Sequence, residues 1–371
     1  MEGIGNKIWL SSPHMGDNEM KYVQEAYETN WIAPLGPNVD HFEKDITNYT
    51  AVKSATALSS GTAAIHLALI MLGVKSNDEV LCSSFTFSAS ANPILYQGAI
   101  PVFVDSEIDT WNMCPILLEK AITARIAKGK KPKAIILVHL YGMPAKMDEI
   151  LAISAKFEIP IIEDAAEALG STFQGKALGT LGDIGIYSFN GNKIITTSGG
   201  GALVSNDKKY CNKALFLATQ ARDKADHYQH SEIGYNYRMS NILAGIGRGQ
   251  MEVLDNRIAA RRSNFEFYKA NLAATDIEFF QEPEGYFSNR WLTCIITKSF
   301  NQRENIRLNL EKENIEARPL WKPMHQQPIF KHYPNFTNGI SENLFEKGLC
   351  LPSGSNLTED DLNRVVSAIK S

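Results

Sequence analysis

Between residues 51 and 204, short apolar runs alternate regularly with segments whose apolar residues recur at helical spacing. Each run is rich in β-branched residues and ends in a turn of small residues. Nearly continuous apolar strands separated by helices are typical of a mostly parallel sheet that helices cover on both faces. The sequence therefore predicts an α/β core with strands at residues 79–82, 100–104, 134–138, 159–162 and 184–187.

The remainder of the chain follows a different pattern. Residues 240–274 carry apolar side chains at helical spacing without a proline, which predicts one long helix or two joined helices. Beyond them we expect strands at 291–296 and 316–318 and helices at 303–313 and 359–369. The length of 371 residues exceeds the ~250–300 residues at which a single core usually stops growing. We therefore predict a large α/β domain over residues 1–250 and a small C-terminal α+β domain over residues 251–371.

Composition narrows the possible partners. Hydrophobic residues make up 44% of the chain and charged residues 21%, as expected for a globular protein with a large core. A net charge of -4 offers no basic face for nucleic acid or for an anionic membrane, so a small-molecule partner is expected. The five scattered cysteines include no CxxC pair, which predicts neither a disulfide framework nor a metal site. The sequence has no secretion signal and no apolar run of membrane-spanning length, so we expect a cytoplasmic location.

The stretch SSGTAAIHLALIMLG, residues 59–73, places a Ser/Gly/Thr turn directly before an amphipathic helix. The first N–H groups of a helix lie at the positive end of its dipole and can bind a phosphate. Gly61 and Thr62 are the candidate phosphate-binding residues. The alternative is a simple capped helix, because serine and threonine are common N-cap residues.

A second stretch, IPIIEDAAEALGS, places Asp164 after a buried strand, at the sheet edge where open α/β folds bind ligands. A carboxylate there can pair with a pyridine nitrogen and keep that ring protonated, so that the ring accepts electrons. The alternative is that Asp164 caps a following helix. Glu167 lies about one helical turn further on and is expected to face the same pocket, although a solvent-facing glutamate would explain it equally well.

The third stretch, residues 182–207, carries Lys193 in a polar turn after a β-rich run. Ile194 and Ile195 follow directly, which is an apolar setting for a lysine. Desolvation favours a neutral amine, and a neutral amine can form a Schiff base. The alternative is a lysine exposed on a surface hairpin, as most lysines are.

The set SGTAA, EDAAEALGS and SFNGNKIITTSGGGAL, in this order, resembles the DegT/DnrJ/EryC1/StrS family of fold-type-I, pyridoxal-phosphate-dependent aminotransferases that act on nucleotide sugars. Further similar stretches, among them SSFTFSASANPILYQGA, GYNYRMSN, SNRWLT and ARPLWKPMHQQPIF, cover nearly the whole chain. Within the family, the chain is most similar to the bacterial UDP-sugar 4-aminotransferases that make the precursor of diacetylated bacillosamine. Asn190 in SFNGNK marks this subgroup, because many relatives carry a histidine there.

The resemblance implies the residues that bind the cofactor, pyridoxal phosphate. Lys193 would be covalently linked to the cofactor and would move protons as the general base, and Asp164 would contact the pyridine nitrogen. Phe87 would stack on the ring, and Glu167 would lie near its hydroxyl. The phosphate would be held by Gly61, Thr62, Ser188 and, from a second subunit, Asn236.

The resemblance also implies a homodimer with shared active sites and a set of substrate-binding residues. Arg238 of the second subunit would lie close to Asn236. The remaining candidates for the nucleotide sugar are Asn30, Trp31, Ile32, Asn190, Arg318, Trp321 and His325. Packing between the two lobes is an equally good explanation for the residues of the ARPLWKPMH segment.

The activity implied is transfer of an amino group from L-glutamate to C4 of a UDP-linked 4-keto-6-deoxy-N-acetyl sugar, which would supply a bacterial glycan. One alternative is a 3-aminotransferase acting on a dTDP-keto sugar or a transaminase acting on a cyclitol. Another is a non-catalytic protein that binds pyridoxal phosphate or a sugar nucleotide. A related branch that performs dehydration has histidine in place of the lysine, so Lys193 argues against that branch.

Overall fold

The computed structural model describes residues 5–371. Its helices are α1 (Glu19–Glu28), α2 (Pro37–Thr50), α3 (Gly61–Met71), α4 (Ser88–Tyr96), α5 (Pro115–Ala127), α6 (Met147–Phe157), α7 (Lys208–Ala218), α8 (Asn241–Glu252), α9 (Leu254–Asn271), α10 (Phe300–Lys312), α11 (Ile340–Lys347) and α12 (Glu359–Lys370). Its strands are β1 (Ser54–Leu58), β2 (Glu79–Ser83), β3 (Ile100–Val104), β4 (Ala134–Val138), β5 (Ile161–Asp164), β6 (Thr172–Phe173), β7 (Lys176–Ala177), β8 (Ile184–Ser188), β9 (Gly201–Ser205), β10 (Glu278–Phe279), β11 (Tyr286–Phe287), β12 (Thr293–Ile296), β13 (Arg318–Pro319), β14 (Asn335–Phe336) and β15 (Gly348–Leu351).

Eight strands form one large sheet in the order β1-β9-β8-β5-β4-β2-β3-β14. From β8 to β14 every neighbouring pair is parallel, whereas β9 runs antiparallel to both β8 and β1. The predicted α/β class with a mostly parallel sheet is confirmed. The antiparallel β9 arises because the chain returns directly after the Lys193 turn, without the long crossover that a parallel neighbour needs.

Helices cover both faces of this sheet. On β2, Leu81 packs into one hydrophobic cluster, while its neighbours Val80 and Cys82 pack into the cluster on the opposite face. Successive side chains of a strand point to opposite faces, so a strand buried on both sides must be apolar throughout. Helix α3 is buried along most of its length, and the amphipathic character expected for it is wrong because it lies within the second cluster.

The structure sets the bounds of the predicted elements and decides between the two alternatives for residues 240–274. The strand expected at residues 159–162 begins instead at Ile161 and extends to Asp164, because Pro160 has no N–H to donate to a neighbouring strand. The apolar stretch from residue 240 forms two helices, α8 and α9, with Val253 between them.

A second sheet of four antiparallel strands, β10-β12-β15-β13, lies in the C-terminal part. Residues of α10 and α12 pack with it in a separate hydrophobic cluster, which forms the expected C-terminal α+β unit. Two segments beyond residue 250 nevertheless join the first part of the chain: β14 extends the large sheet beside β3, and β11 pairs with β6. The division into domains at residue 250 stays a prediction. No helix within residues 5–371 is both long and apolar enough to cross a membrane.

The topology brings the candidate residues to one edge. Strands β5 and β8 are parallel neighbours that end at Asp164 and Ser188. Strand β1 has the same direction, since β9 is antiparallel to both β1 and β8, and its end leads into Gly61. Ligands bind at the carboxyl edge of such sheets.

Candidate active site

A cavity of about 500 Å³ opens at this edge of the sheet, within the usual range for ligand pockets. It is lined by residues from the strand ends, from the Lys193 turn and from the C-terminal part, among them Ser60, Gly61, Thr62, Phe87, Asp164, Glu167, Ser188, Asn190, Asn192, Lys193, Trp291, Arg318 and Trp321. No group of three or more metal-ligating side chains suited to a metal ion occurs in the part of the chain described, residues 5–371.

The amine of Lys193 projects into this cavity. The turn that carries it closes with a hydrogen bond from Lys193 N to Asn190 O at 3.0 Å. The lysine side chain is only 11% exposed. Its Nζ lies 3.4 Å from Glu167 Oε1 and 4.3 Å from the centroid of the Trp291 ring. A lysine exposed on a surface hairpin is therefore the wrong description of this residue.

Asp164 is buried at the base of the cavity, with 5% of its surface exposed. Ser90 Oγ donates a hydrogen bond to Asp164 Oδ2 at 2.6 Å, and Ala166 N donates to Oδ1 at 3.2 Å. The residues after Asp164 form turns rather than a helix, so helix capping does not account for this carboxylate. Ser90 comes from α4, 74 positions earlier in the chain, and no sequence signal links the two residues.

Glu167 faces the same cavity from the turn after Asp164. Tyr141 N donates a hydrogen bond to Glu167 Oε2 at 2.7 Å. Burial raises the pKa of the Glu167 carboxyl from 4.5 to about 7, although the Lys193 charge and the Tyr141 hydrogen bond oppose this shift. A solvent-facing glutamate is excluded, because only 4% of the residue is exposed. Near neutral pH this carboxyl is thus able to hold or release a proton beside the amine.

The raised pKa of Glu167 predicts how stability depends on pH. Between pH 4.5 and about 7 the folded protein binds this proton more tightly than the unfolded chain does, so the free energy of unfolding falls as pH rises through this window. We expect cofactor-free wild-type protein to lose about 3 kcal/mol relative to Glu167→Gln over this range. Urea unfolding at several pH values would measure it. Parallel curves for the two proteins would contradict the prediction.

The start of α3 forms another part of the cavity wall. Ser60 is the N-cap, and its Oγ accepts a hydrogen bond from Ala63 N at 3.0 Å. The capped-helix interpretation is therefore correct, but it leaves the first N–H groups, those of Gly61 and Thr62, without a partner inside the helix. A Cβ at residue 61 would lie 3.3 Å from Ser188 Cβ. Glycine thus lets the helix start approach Ser188, the third predicted phosphate-binding residue.

Of the other predicted residues, Phe87, Asn190, Arg318 and Trp321 line the cavity. Trp321 packs against Phe87 with ring centroids 5.6 Å apart. Arg318 lies at the outer part, its side chain 69% exposed and its NH2 group 2.8 Å from Glu316 Oε1. The roles predicted for these residues are compatible with their positions and stay predictions.

Six predicted residues do not line the cavity of their own chain: Asn30, Trp31, Ile32, Asn236, Arg238 and His325. Arg238 forms an ion pair with Glu43 and donates a hydrogen bond to Ala57 O at 3.0 Å. His325 uses both ring nitrogens elsewhere, 2.6 Å from Ser84 Oγ and 2.9 Å from Glu342 Oε1. Asn236 is predicted to act in the site of a partner subunit, and its role stays a prediction.

The comparisons with known proteins decide the family. The family model described as the DegT/DnrJ/EryC1/StrS aminotransferase family matches residues 13–370. The chain belongs to this family. It is 55% identical over 368 residues to EpsN of Bacillus subtilis, described as a pyridoxal phosphate-dependent aminotransferase, with 98% of this chain and 95% of EpsN covered. It is also 38% identical over 362 residues to the GDP-perosamine synthase of Escherichia coli O157:H7, with 98% and 97% covered.

A solved structure supports the same assignment. The crystal structure of a DegT DnrJ EryC1 StrS aminotransferase from Brucella abortus matches with a TM-score of 0.90 and 30% identity, covering 95% of this chain and 94% of the other. The predicted family, the fold-type-I architecture and the enzyme class are confirmed. The protein is a nucleotide-sugar aminotransferase that depends on pyridoxal phosphate.

The cavity fits this cofactor. It combines a buried amine, a buried carboxylate and a helix start with unpaired N–H groups, which match the aldehyde, the pyridine nitrogen and the phosphate of pyridoxal phosphate. Glycine at position 61 leaves room for the helix start to face Ser188. The sequence gives no signal for one residue of the cavity, Trp291, although its ring centroid lies 4.3 Å from Lys193 Nζ.

Proposed function

We propose that the protein transfers an amino group from L-glutamate to C4 of a UDP-linked 4-keto-6-deoxy-N-acetyl sugar, giving the UDP-4-amino-4,6-dideoxy sugar for a bacterial glycan. The observation that carries the transfer is the amine of Lys193 in one cavity with Asp164 and Glu167. The choice of sugar rests on the resemblance of SFNGNK to the 4-aminotransferase subgroup. Asn190, the residue that marks this subgroup, lines the cavity close to Lys193.

Asp164, Lys193 and Glu167 would each have a different chemical role. When bound, pyridoxal phosphate supplies an electron-accepting ring. Asp164 would hold a proton on the pyridine nitrogen, and its own position is fixed by Ser90. Lys193 would act as nucleophile and as general base in both halves of the reaction, removing a proton from the donor carbon in the first and placing a proton on the sugar carbon in the second. Glu167, whose carboxyl has a pKa raised to about 7, would exchange a proton with groups near the amine.

The outer part of the cavity suits the second reactant. Arg318 is a cation at its mouth, and its guanidinium could exchange Glu316 for an anionic group of the substrate. Trp321 and Phe87 form an adjoining aromatic wall, and such surfaces commonly bind sugar rings and bases. We propose that this part of the cavity receives the nucleotide sugar.

We also propose a cytoplasmic homodimer in which each site is completed by the partner. Trp31, Ile32, Tyr228 and Ile233 are apolar side chains exposed by 40%, 48%, 78% and 81%, and a subunit interface would cover such residues. Asn236 lies close to Ile233 in sequence and is exposed. The five cysteines, all free and buried, fit a reducing compartment. Light scattering should give a particle of twice the 41.2 kDa chain mass.

Mass spectrometry of the product tests the proposed reaction. Protein, UDP-4-keto-6-deoxy-GlcNAc and L-glutamate should yield an amino sugar nucleotide together with 2-oxoglutarate, and NMR should place the new amine on C4. Omitting glutamate is the control, because only the donor supplies nitrogen.

The same assay separates the rival substrates. A panel of GDP-linked and dTDP-linked keto sugars includes the dTDP 3-aminotransferase alternative, and the similarity to GDP-perosamine synthase makes a GDP-linked sugar a second candidate. Faster turnover of any of these than of the UDP sugar would overturn the proposed substrate while leaving the transaminase chemistry in place.

A further inference from the structure

The backbone carbonyl that precedes Lys193 is held by donors from two distant parts of the chain. Ser11 Oγ donates a hydrogen bond to Asn192 O at 2.7 Å, and the indole Nε1 of Trp291 donates to the same oxygen at 2.7 Å. A carbonyl oxygen has two lone pairs, so both of its acceptor sites are occupied. The peptide from which the Lys193 side chain extends is thereby fixed from two sides.

Trp291 also contacts the reactive amine. Lys193 Nζ lies 4.3 Å from the centroid of the indole ring, within the distance for attraction between a cation and an aromatic face. Trp291 is only 2% exposed, so water screens this attraction little. With Glu167 Oε1 at 3.4 Å, the amine has a carboxylate and an aromatic face as neighbours.

Arg261 on α9 donates hydrogen bonds to both Trp291 and Ser11, the two residues that bond Asn192 O. Its NH1 donates a hydrogen bond to Trp291 O at 2.6 Å, and its NH2 donates to Ser11 Oγ at 3.0 Å. Arg261 is 1% exposed, and both of these acceptors are neutral oxygens. Burying a cation on neutral acceptors costs free energy, and the pKa of the guanidinium is accordingly lowered to about 9. A buried arginine at this cost indicates that Arg261 does more than fill space, since it fixes Trp291 and Ser11.

Two further hydrogen bonds connect Trp291 with Glu167 through the side chain of Asn289. Trp291 N donates to Asn289 Oδ1 at 2.9 Å, while Asn289 Nδ2 donates to Glu167 O at 2.8 Å. The segment SNRWLT therefore connects the turn that carries Lys193 with the turn that carries Glu167.

From these contacts we propose that Trp291, anchored by Arg261 and sharing the Asn192 carbonyl with Ser11, is a positioning residue that seats the Lys193 nitrogen, both in its link to the cofactor and after its release. The inference rests on the role proposed for Lys193. When glutamate's nitrogen replaces Lys193 on the cofactor, one C–N bond forms and one breaks, and the released amine must stay beside the carbon whose proton it moves. The indole face and the fixed Asn192 carbonyl keep it there.

Two substitutions of Trp291 separate its two contacts. Trp291→Leu removes both the ring face and the indole N–H, and we expect kcat per bound cofactor to fall roughly 30-fold. The KM for glutamate should change less, by at most about threefold, because this residue acts after the donor binds. Trp291→Phe keeps an aromatic face and should have an intermediate kcat.

A spectroscopic readout distinguishes positioning from stability. The visible absorbance of a Lys193–cofactor link would titrate with pH, and its protonated nitrogen would be a cation at the position that the Lys193 amine holds beside the indole ring. We expect Trp291→Leu to lower the midpoint of this titration by roughly half a pH unit or more. A loss of melting temperature or cofactor content alone, with kcat per bound cofactor and midpoint unchanged, would overturn the inference.

Ser11 provides a test that leaves the core filled. Ser11→Ala removes one donor to Asn192 O and should lower kcat in the same direction as Trp291→Leu but less, whereas Ser11→Thr keeps the hydroxyl and should restore it. Ser12→Ala is the matched control, because Ser12 Oγ bonds Asn356 Oδ1 at 3.1 Å instead. Equal kcat values for Ser11→Ala and Ser12→Ala would count against the proposal even if the Trp291 variants fail to fold. Failure of the proposed role of Lys193 would be seen separately, as borohydride labelling of a different lysine in the wild-type protein.

Discussion

Lys193→Ala should lower transamination at least ~10⁴-fold, because one substitution removes both the covalent attachment of pyridoxal phosphate and the group that moves the proton. Steady-state formation of 2-oxoglutarate from glutamate and keto sugar measures the loss. Borohydride reduction followed by peptide mapping should mark Lys193 in the wild-type protein and no lysine in the variant. Substantial steady-state activity in Lys193→Ala would contradict the proposed chemistry.

A hybrid of two variant subunits tests whether the loss of activity in Lys193→Ala comes from misfolding. Lys193→Ala chains can be co-expressed with Asn236→Asp chains under two different affinity tags, and the doubly tagged hybrid purified. If Asn236 serves the partner's site, one of the two sites has both native residues, and the hybrid should regain about half of the wild-type activity. A folded hybrid with no activity would show that Asn236 does not act across the interface.

Asp164→Asn is expected to lower the rate of the glutamate half-reaction about 10²–10³-fold, because a neutral amide cannot keep a proton on the pyridine nitrogen. The change keeps the size of the side chain, and its oxygen can still accept from Ala166 N, which lies 3.2 Å from Asp164 Oδ1. Borohydride should therefore still mark Lys193 in this variant. Stopped-flow absorbance with glutamate alone measures the rate.

The matched variant for Asp164→Asn is Ser90→Ala. It removes the 2.6 Å hydrogen bond to Asp164 Oδ2 but leaves the charge of the carboxylate, so it should cause a smaller loss of rate. A rate for Asp164→Asn equal to that of the wild-type protein would rule out this carboxylate as the partner of the ring.

The elements that follow from local pattern were predictable. Apolar runs predict the parallel strands, and the polar positions after two of these strands predict Asp164 and Lys193 as candidate site residues. Both reach one cavity because β5 and β8 are adjacent, which the order of strand and turn in the sequence allows but does not specify.

The rest depends on contacts between distant positions. Trp291 lies 99 positions after Asn192, to whose carbonyl oxygen it donates a hydrogen bond. A tryptophan in a strand-like apolar run is typical of a core residue, so the neighbouring sequence does not indicate this contact. His325 is a different case. The segment from Arg318 to His325 suggests a substrate site, but the His325 ring bonds Ser84 and Glu342 instead of lining the cavity. Side-chain pairing of this kind is set by tertiary packing and not by spacing along the chain.

The pairing of β14 with β3 bears on how the chain is made. Asn335 and Phe336 pair with Phe103 and Val104 of β3, which lie far earlier in the chain, so a growing chain must be extended a long way beyond β3 before that border of the sheet is closed. Until then the outer backbone groups of β3 stay available to other chains. Newly made polypeptides would thus be prone to association in the interval after β3 has formed and before Asn335 and Phe336 have been made.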